Sequence, residues 1–406
     1  MRIRVGVIFG GESVEHEVSI ISAIQAMNKM DEEKYEIVPI YITKDREWYT
    51  GDMLKDIDVY QDFNLIKQYS DNVVLYCKNG SFVLQKKNGI FKRVVKEIDI
   101  AFPIVHGTNV EDGVLQGYLQ TIGIPYVGPD VYAAVAGQDK TIMKDIWSGL
   151  DLPMTKYVWF YDVDYRENKE DVLKRLHKLS FPLIVKPSST GSSVGISVCE
   201  NEEKLMEGIE EAIQYDHKVL VEEMVQNLKE VNIAVMGNYE NQRLSEIEEV
   251  FSGNKFLTFN DKYIGKGKTK GCKASLKTGS KGMASASRKI PAELDSKVRD
   301  EIEEVAVKAF KALGTSGNSR IDFMIDDKTK KIYINEINSI PGSLAFYLWE
   351  ALDINFTQVL DDMINIGIKD YKKRMSKTHS FESNILQGFA SRGGVKGMKG
   401  AKGKIR

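Results

Sequence analysis

Cysteine is scarce in this 406-residue chain: three residues, Cys77, Cys199 and Cys272, odd in number and far apart. Such usage argues against a disulfide framework or a zinc site and for reduced thiols in a cytoplasmic protein. No run of about 18 apolar residues exists, so nothing is built to span a membrane. The opening "MRIRVGVIFGG" passes straight into a strand and lacks the apolar stretch and cleavage site of a signal peptide. Excess charge is small as well, a net −2. What is present is an ordinary globular composition, 42% hydrophobic and 28% charged. The chain is too long for one core, so two or three domains are expected.

The charge is unevenly spread. Residues 371–406 hold ten Lys/Arg and one acid, so +9, which leaves about −11 on the rest. This stretch ends "SRGGVKGMKGAKGKIR", rich in Gly and Lys, and is expected to be an unpacked tail. It is either a solvated extension or a contact for an anionic partner; no interleaved aromatics favour nucleic acid.

Along the chain, "IRVGVIF" (3–9), "YEIVPIYI" (35–42) and "IDIAFPIVHG" (98–107) are apolar strands. After Gly10-Gly11, Ile20, Ile24 and Met27 recur at helical spacing. Strand, helix, strand predicts an open parallel sheet with helices on its faces over residues 1–125. Ligands of such sheets sit beyond the strands' carboxyl ends. "GIPYVGPD" (123–130) marks a boundary, and the text after it reads as α+β. "FPLIVKPSSTGSSVGISVC" (181–199) is a hairpin around a Gly/Ser loop, and "KVLVEEMV" (218–225) a buried strand. Leu294, Val298, Ile302, Val305 and Ala309 share one face of a helix over 294–313, ended by Gly314. The expected units are 1–125, a central 126–216, a C-terminal 217–370 with a Lys/Gly-rich lid loop over 255–285, and the tail 371–406.

"RIDFMIDDKTKKIYINEINSIPG" (320–342) carries the chemistry. Residues i and i+2 of a strand share a face, so Arg320 pairs in direction with Asp322, and Glu336 with Asn338. The turn "DDKTKK" folds the two strands together and brings the four groups near one another. Two carboxylates and an amide form an all-oxygen set suited to Mg²⁺ shared with phosphates. The bland alternative is a pair of buried ion bridges, a poor route to stability. In "VKPSSTGSSVG" (185–195), Lys186 supplies a charge, and Thr190, Gly191, Ser192 and Ser193 supply N–H groups and hydroxyls for phosphate oxygens. It is not a Walker loop. Lys140, opening a helix, offers a second ammonium. "LVEEMV" (220–225) is open between an adenine-binding edge and a solvated strand end. Glu15, His16 and Glu17 precede a helix, and His106, Glu111 and Asp112 follow a strand, where a ligand or a purely structural role would both fit.

In order, "GGESVEHEVS", "HGTNVEDGVLQGYLQTIGIPYVG", "DK" at 139–140, "IVKPSSTGSSVG", "NDKY" at 260–263 and "RIDFMI…INEINSIPG" resemble the ATP-grasp superfamily, and within it the D-alanine–D-alanine ligase family. The resemblance implies an N-terminal Rossmann-like domain followed by a two-subdomain ATP-grasp fold. It implies ATP and two Mg²⁺ (or Mn²⁺), amino-acid substrates, a cytoplasmic homodimer and a role in peptidoglycan precursor synthesis. One carboxylate takes the γ-phosphoryl group of ATP to become an acyl phosphate, and a second amino acid's amine displaces the phosphate. By the resemblance, Arg320 stabilises the transferring group, and Asp322, Glu336 and Asn338 hold the metals. Lys140, Lys186 and Ser193 meet phosphates, the Glu222–Glu223–Val225 segment adenine, and Glu230 the ribose. Glu15 takes the first substrate's ammonium beside His106, and Ser192 orients Glu15. Lys262 and Tyr263 sit on the lid, and Gly342 and Tyr347 at the substrates. The Lys262-Tyr263 pair favours an amine acceptor.

Three departures bear on the acceptor and the loops. After "NSIPG" the family reads Met-Thr and, a few residues on, a serine that seats the second carboxylate; here stand Ser343-Leu344 and Tyr347. Leu228-Lys229-Glu230 replaces Gly-Arg-Glu, and Asn109-Val110 replaces two glycines. Beside D-alanine–D-alanine joining stand two other readings: a same-fold carboxylate–amine ligase with another acceptor, favoured by Tyr347, and a non-catalytic ATP-binding protein, disfavoured by the intact hairpin set.

Overall fold

The computed structural model describes residues 2–89, 92–251 and 287–380. The expected lid, with Lys262 and Tyr263, and the tail beyond residue 380 lie outside them.

Strand β1 (Ile3–Gly10) is buried along most of its length, as a central parallel strand must be. It pairs in parallel with β2 (Tyr35–Ile42) on one side and β7 (Ile100–Pro103) on the other. The rest of this sheet corrects the expectation of an open parallel one. β3 (Trp48–Thr50), β4 (Asp71–Lys78), β5 (Ser81–Lys86) and β6 (Val94–Ile98) add an antiparallel meander, giving the order β6-β5-β4-β3-β2-β1-β7. The cause is local. Asn79 (φ 52°) and Gly80 (φ 82°) form a two-residue turn that matches strand twist and closes β4 on β5. Helices α1 (His16–Met27), α2 (Phe63–Tyr69) and α3 (Val114–Ile122) complete this part.

Two expected boundaries also move. Helices α4 (Val131–Gln138) and α5 (Lys140–Ser148) turn their apolar side chains to the C-terminal part, where Ala136, Met143 and Trp147 share a core with Ile302, Phe310 and Ile321, while Lys144 and Asp145 make polar contacts with the central sheet. The central sheet runs β10-β9-β11-β8, built from β8 (Tyr157–Tyr161), β9 (Leu183–Pro187), β10 (Ser197–Cys199) and β11 (Lys218–Glu223). β11 pairs on both sides, with β8 and β9, and Val219 and Val221 point into that core, so the division at 216/217 cuts through a sheet. Helices α6 (Asp162–Glu167), α7 (Lys169–Leu176) and α8 (Glu202–Ala212) belong to this part, and α7 and α8 cover one face with Val172, Leu176, Leu205 and Ile209.

The third sheet is antiparallel, in the order β14-β13-β12-β15-β16: β12 (Leu228–Gly237), β13 (Gln242–Phe251), β14 (Ser287–Lys289), β15 (Gly317–Asp326) and β16 (Ile332–Asn338). The expected amphipathic helix is α9 (Ser296–Ala312), laid under this sheet by Ile302, Ala306 and Ala309. After α10 (Tyr347–Glu350), α11 runs Phe356–Met375, past residue 371 where the unpacked tail was expected to start. Lys372, Lys373 and Arg374 occupy its last turn, where cations favour the helix dipole. Its inner face, Phe356, Val359, Leu360, Met363 and Ile364, joins the core of the N-terminal sheet.

Candidate active site

One cavity is bordered by the central and third sheets and, from the N-terminal part, by Glu15, Val18 of α1 and the loop after β7; the hairpin β15–β16 forms its floor. Arg320, Asp322 and Met324 alternate toward it, while Ile321 and Ile325 point into the core. Asn338 lies opposite Arg320, and Glu336 opposite Asp322. The Asp322 carboxylate accepts two N–H bonds from Arg320, at 2.7 and 2.8 Å, and one from Asn338 Nδ2 at 3.1 Å. Burial alone would lower the Arg320 pKa, but the charge and hydrogen bonds of Asp322 outweigh it, so the guanidinium stays charged. Between Asp322 and Phe323 the register slips: Asp322 faces Glu336, but Phe323 faces Ile334. Asn335 is the extra residue of this bulge, which re-aims a side chain. Asn335 and Glu336 therefore both line the cavity while Ile334 and Ile337 stay buried. The sequence reading missed Asn335, although the apolar spacing 332, 334, 337 carries the bulge.

Opposite this floor stands the loop between β9 and β10. Lys186 lies one residue before the end of β9; its Nζ pairs with Glu222 and donates to Asn335 Oδ1 at 3.3 Å. Lys140, first residue of α5, donates to Thr190 O at 2.9 Å and lies 4.0 Å from Glu336. Ser192 and Ser193 hold left-handed backbones (φ 54° and 60°), a conformation that costs energy outside glycine. That turn brings the Ser192 hydroxyl onto the Glu15 carboxylate of the N-terminal part, to which it donates. His106 is buried and bonded to Ser22 Oγ at 3.1 Å; desolvation pushes its pKa down, so the ring is neutral.

The comparisons with known proteins agree with this geometry. The family model described as D-ala D-ala ligase N-terminus matches residues 4–129, and that described as D-ala D-ala ligase C-terminus matches residues 146–365. The chain belongs to the D-ala D-ala ligase family. The D-alanine–D-alanine ligase of Thermosipho melanesiensis is 37% identical over 387 residues, covering 95% of this chain and 98% of that one. That of Acetivibrio thermocellus is 36% identical over 390 residues, covering 92% and 98%. Among solved structures, the VanG D-Ala:D-Ser ligase of Enterococcus faecalis aligns with TM-score 0.73 at 30% identity, over 90% of this chain and 100% of that one. The D-alanine-D-alanine ligase of Coxiella burnetii aligns with TM-score 0.77 at 25% identity, over 97% and 99%. Use of ATP follows from the family.

Within this member of the D-ala D-ala ligase family, Glu230 and Gly342 line the cavity. Glu222, Glu223, Val225 and Tyr347 are not among the lining residues. Glu222 is fully buried and lies between Lys186 and Lys144, the latter at 2.9 Å, and accepts from Thr155 Oγ1 at 2.8 Å. Burial would raise its pKa; the two ammoniums win and hold it well below the usual carboxylate range. Its side chain thus fixes Lys186. Glu223 accepts from Ser180 N at 3.0 Å, and Val225 is buried. Apolar lining comes instead from Ile184, Val198, Leu228 and Met324. Tyr347 stands one layer back: its hydroxyl donates to Glu248 Oε1 at 3.0 Å, and the Arg288 guanidinium lies 4.3 Å from its ring centre. Glu248 and Arg288 do line the cavity, and the sequence reading had neither. The visible signal was an acid inside the buried run "SEIEEV".

Glu111 also lines the cavity and is buried. It accepts from Gly107 N at 3.0 Å, Ile340 N at 3.0 Å and Ser339 Oγ at 3.2 Å, tying the loop after β7 to the loop after β16. Burial first, and the nearby Glu15 charge second, push its pKa up to about 8 despite those donors.

Proposed function

We propose that this protein joins two D-alanines into a dipeptide at the expense of ATP, releasing ADP and phosphate, as a step toward peptidoglycan precursors. The observation that carries this reading is the single cavity in which the Arg320/Asp322/Glu336/Asn338 floor faces Lys140, Lys186 and the Ser192–Glu15 pair. Asp322, Glu336 and Asn338 suit Mg²⁺. Among the described residues no three His, Cys, Asp or Glu side chains form a complete metal set, so an ion there must finish its shell with phosphate oxygens and water. Bound, the metal would neutralise phosphate charge.

Glu15 takes the ammonium of the first D-alanine, with Ser192 fixing the carboxylate's direction. The carboxylate oxygen of that D-alanine then attacks the γ-phosphorus, the bond to ADP breaks, and a D-alanyl phosphate forms. Lys140, Lys186 and the loop N–H groups hold the phosphate oxygens in line, and Arg320 faces the charge that builds up in transfer. The amine of the second D-alanine, having lost a proton, attacks the acyl carbon; the C–O bond breaks and phosphate leaves. The same reading carries a cytoplasmic location and the family's homodimer.

Phosphate release and product masses, measured with ATP, Mg²⁺ and D-alanine and then a panel of D- and L-amino acids, test it. D-alanyl-D-alanine is the expected main product. Release only with another amine establishes the second reading, a different acceptor, for which Tyr347 in the serine's place is the motive. Asp322→Ala is expected to lower turnover by roughly 100-fold or more while leaving the fold intact. Wild-type turnover in that variant overturns the metal assignment.

A further inference from the structure

The reaction just proposed brings two amino-acid carboxylates and a triphosphate into one cavity. Among the described residues, four cationic side chains line it: Lys140, Lys186, Arg320 and Arg288. The two lysines stand beside the Gly/Ser loop and serve phosphates. Arg320 lies on the metal floor, bound to Asp322, and serves the transferring group and the first carboxylate. The hydroxyl that seats the acceptor's carboxylate in the family is absent, because Tyr347 replaces that serine. We propose that Arg288 takes over this task and binds the carboxylate of the acceptor amino acid. The proposal rests on the ligase reading and adds the residue that sets acceptor choice.

The third sheet supports it by register. The rows Asp322–Asn232–Glu248 and Met324–Glu230–Val250–Arg288 cross it side by side on the cavity face. Arg288 is thus on the same face as the metal floor, on the edge strand. Two of its contacts position the guanidinium. Its Cζ lies over the Tyr347 ring, 4.3 Å from the centre. Its Nη1 is 3.5 Å from Glu248 Oε2. Glu248 in turn is fixed through Oε1 by the Tyr347 hydroxyl at 3.0 Å and Asn232 Nδ2 at 3.0 Å. Tyr347 has the bulk to support an arginine and the hydroxyl to tie down its counter-ion, which serine lacks. A planar guanidinium presents paired N–H groups to a carboxylate, a geometry an ammonium cannot reproduce.

D-Alaninamide tests this, because it has no carboxylate to phosphorylate and enters only as acceptor. With ATP, Mg²⁺, D-alanine and D-alaninamide at equal concentration, mass spectrometry gives the ratio of dipeptide to dipeptide amide. Wild type is expected to favour the dipeptide. In Arg288→Gln the ratio is expected to fall roughly 10- to 100-fold, the worth of a charge-assisted pair. An active variant with the wild-type ratio overturns the assignment. Arg288→Lys decides if the Gln variant does not fold: its ratio is expected to fall several-fold, and an unchanged ratio again overturns it. If wild type makes neither product, the ligase reading itself fails, and the inference with it.

Discussion

Glu111 is a buried carboxyl group, and its burial has a consequence for stability. Its folded pKa of about 8 lies above the ordinary 4.5, so between these values the folded state binds more protons than the unfolded one. Stability from this group is full below about pH 4.5 and is lost as pH rises toward 8. The steepest slope for one proton is about 1.4 kcal/mol per pH unit. Glu111→Gln removes the titration. Urea unfolding of both proteins between pH 5 and 8.5 is expected to show wild type losing stability relative to the variant up to about pH 8, then running parallel to it. A constant difference across that range would refute the burial account. Glu222 has the opposite fate: as deeply buried, it sits between two ammoniums and remains charged. Sequence alone does not separate these two glutamates, since the cations that decide the matter come from other segments.

At the scale of elements, the loop between β9 and β10 must approach Glu15 closely. A methyl group at Gly191 would stand 2.2 Å from Glu15 Oε2, so the carboxylate must swing away. Gly191→Ala is therefore expected to raise the KM for the first amino acid roughly tenfold or more, with a Tm within a few degrees of wild type. The loss of one charge-assisted contact sets that size, and steady-state kinetics with thermal melts check it. An unchanged KM would show that Glu15 does not hold the substrate. The hairpin's four polar groups were legible because period-two spacing exposes them against isoleucines. The Gly/Ser loop was legible by composition. Asn335 was not, because one bulge reverses the parity on which that spacing argument depends. Arg288 and Glu248 were hidden for another reason: they matter through Tyr347, distant in sequence and joined to them only by sheet register and the turn after β16.

At the scale of the molecule, the family's N- and C-terminal halves are not separate folding units. The core under the N-terminal sheet, with Val7, Ile8, Ile40 and Phe102, continues into Ile340, Leu344, Trp349, Phe356, Leu360 and Ile364 of the C-terminal part. Polar ties cross the same seam: Lys34 Nζ meets Asp361 at 2.5 Å, Thr357 Oγ1 donates to Lys29 O at 2.7 Å, and Ser343 N donates to Ser22 Oγ at 2.9 Å. Each large apolar side chain taken from this seam into water costs about 1.5–3 kcal/mol, so exposing six consumes the whole stability of an ordinary domain. Residues 2–129 expressed alone are therefore expected to show secondary structure by circular dichroism but no cooperative urea transition, and to bind a hydrophobic dye. The full chain is expected to lose its N-terminal sheet and α11 together in one transition. A sharp transition in the isolated fragment would show that the shared core is dispensable. The coupling also bears on the chemistry: the seam that Ser343 and Ser22 close lies beside His106 and Glu15, so the same packing that folds the N-terminal part brings its carboxylate to the ATP-grasp cavity.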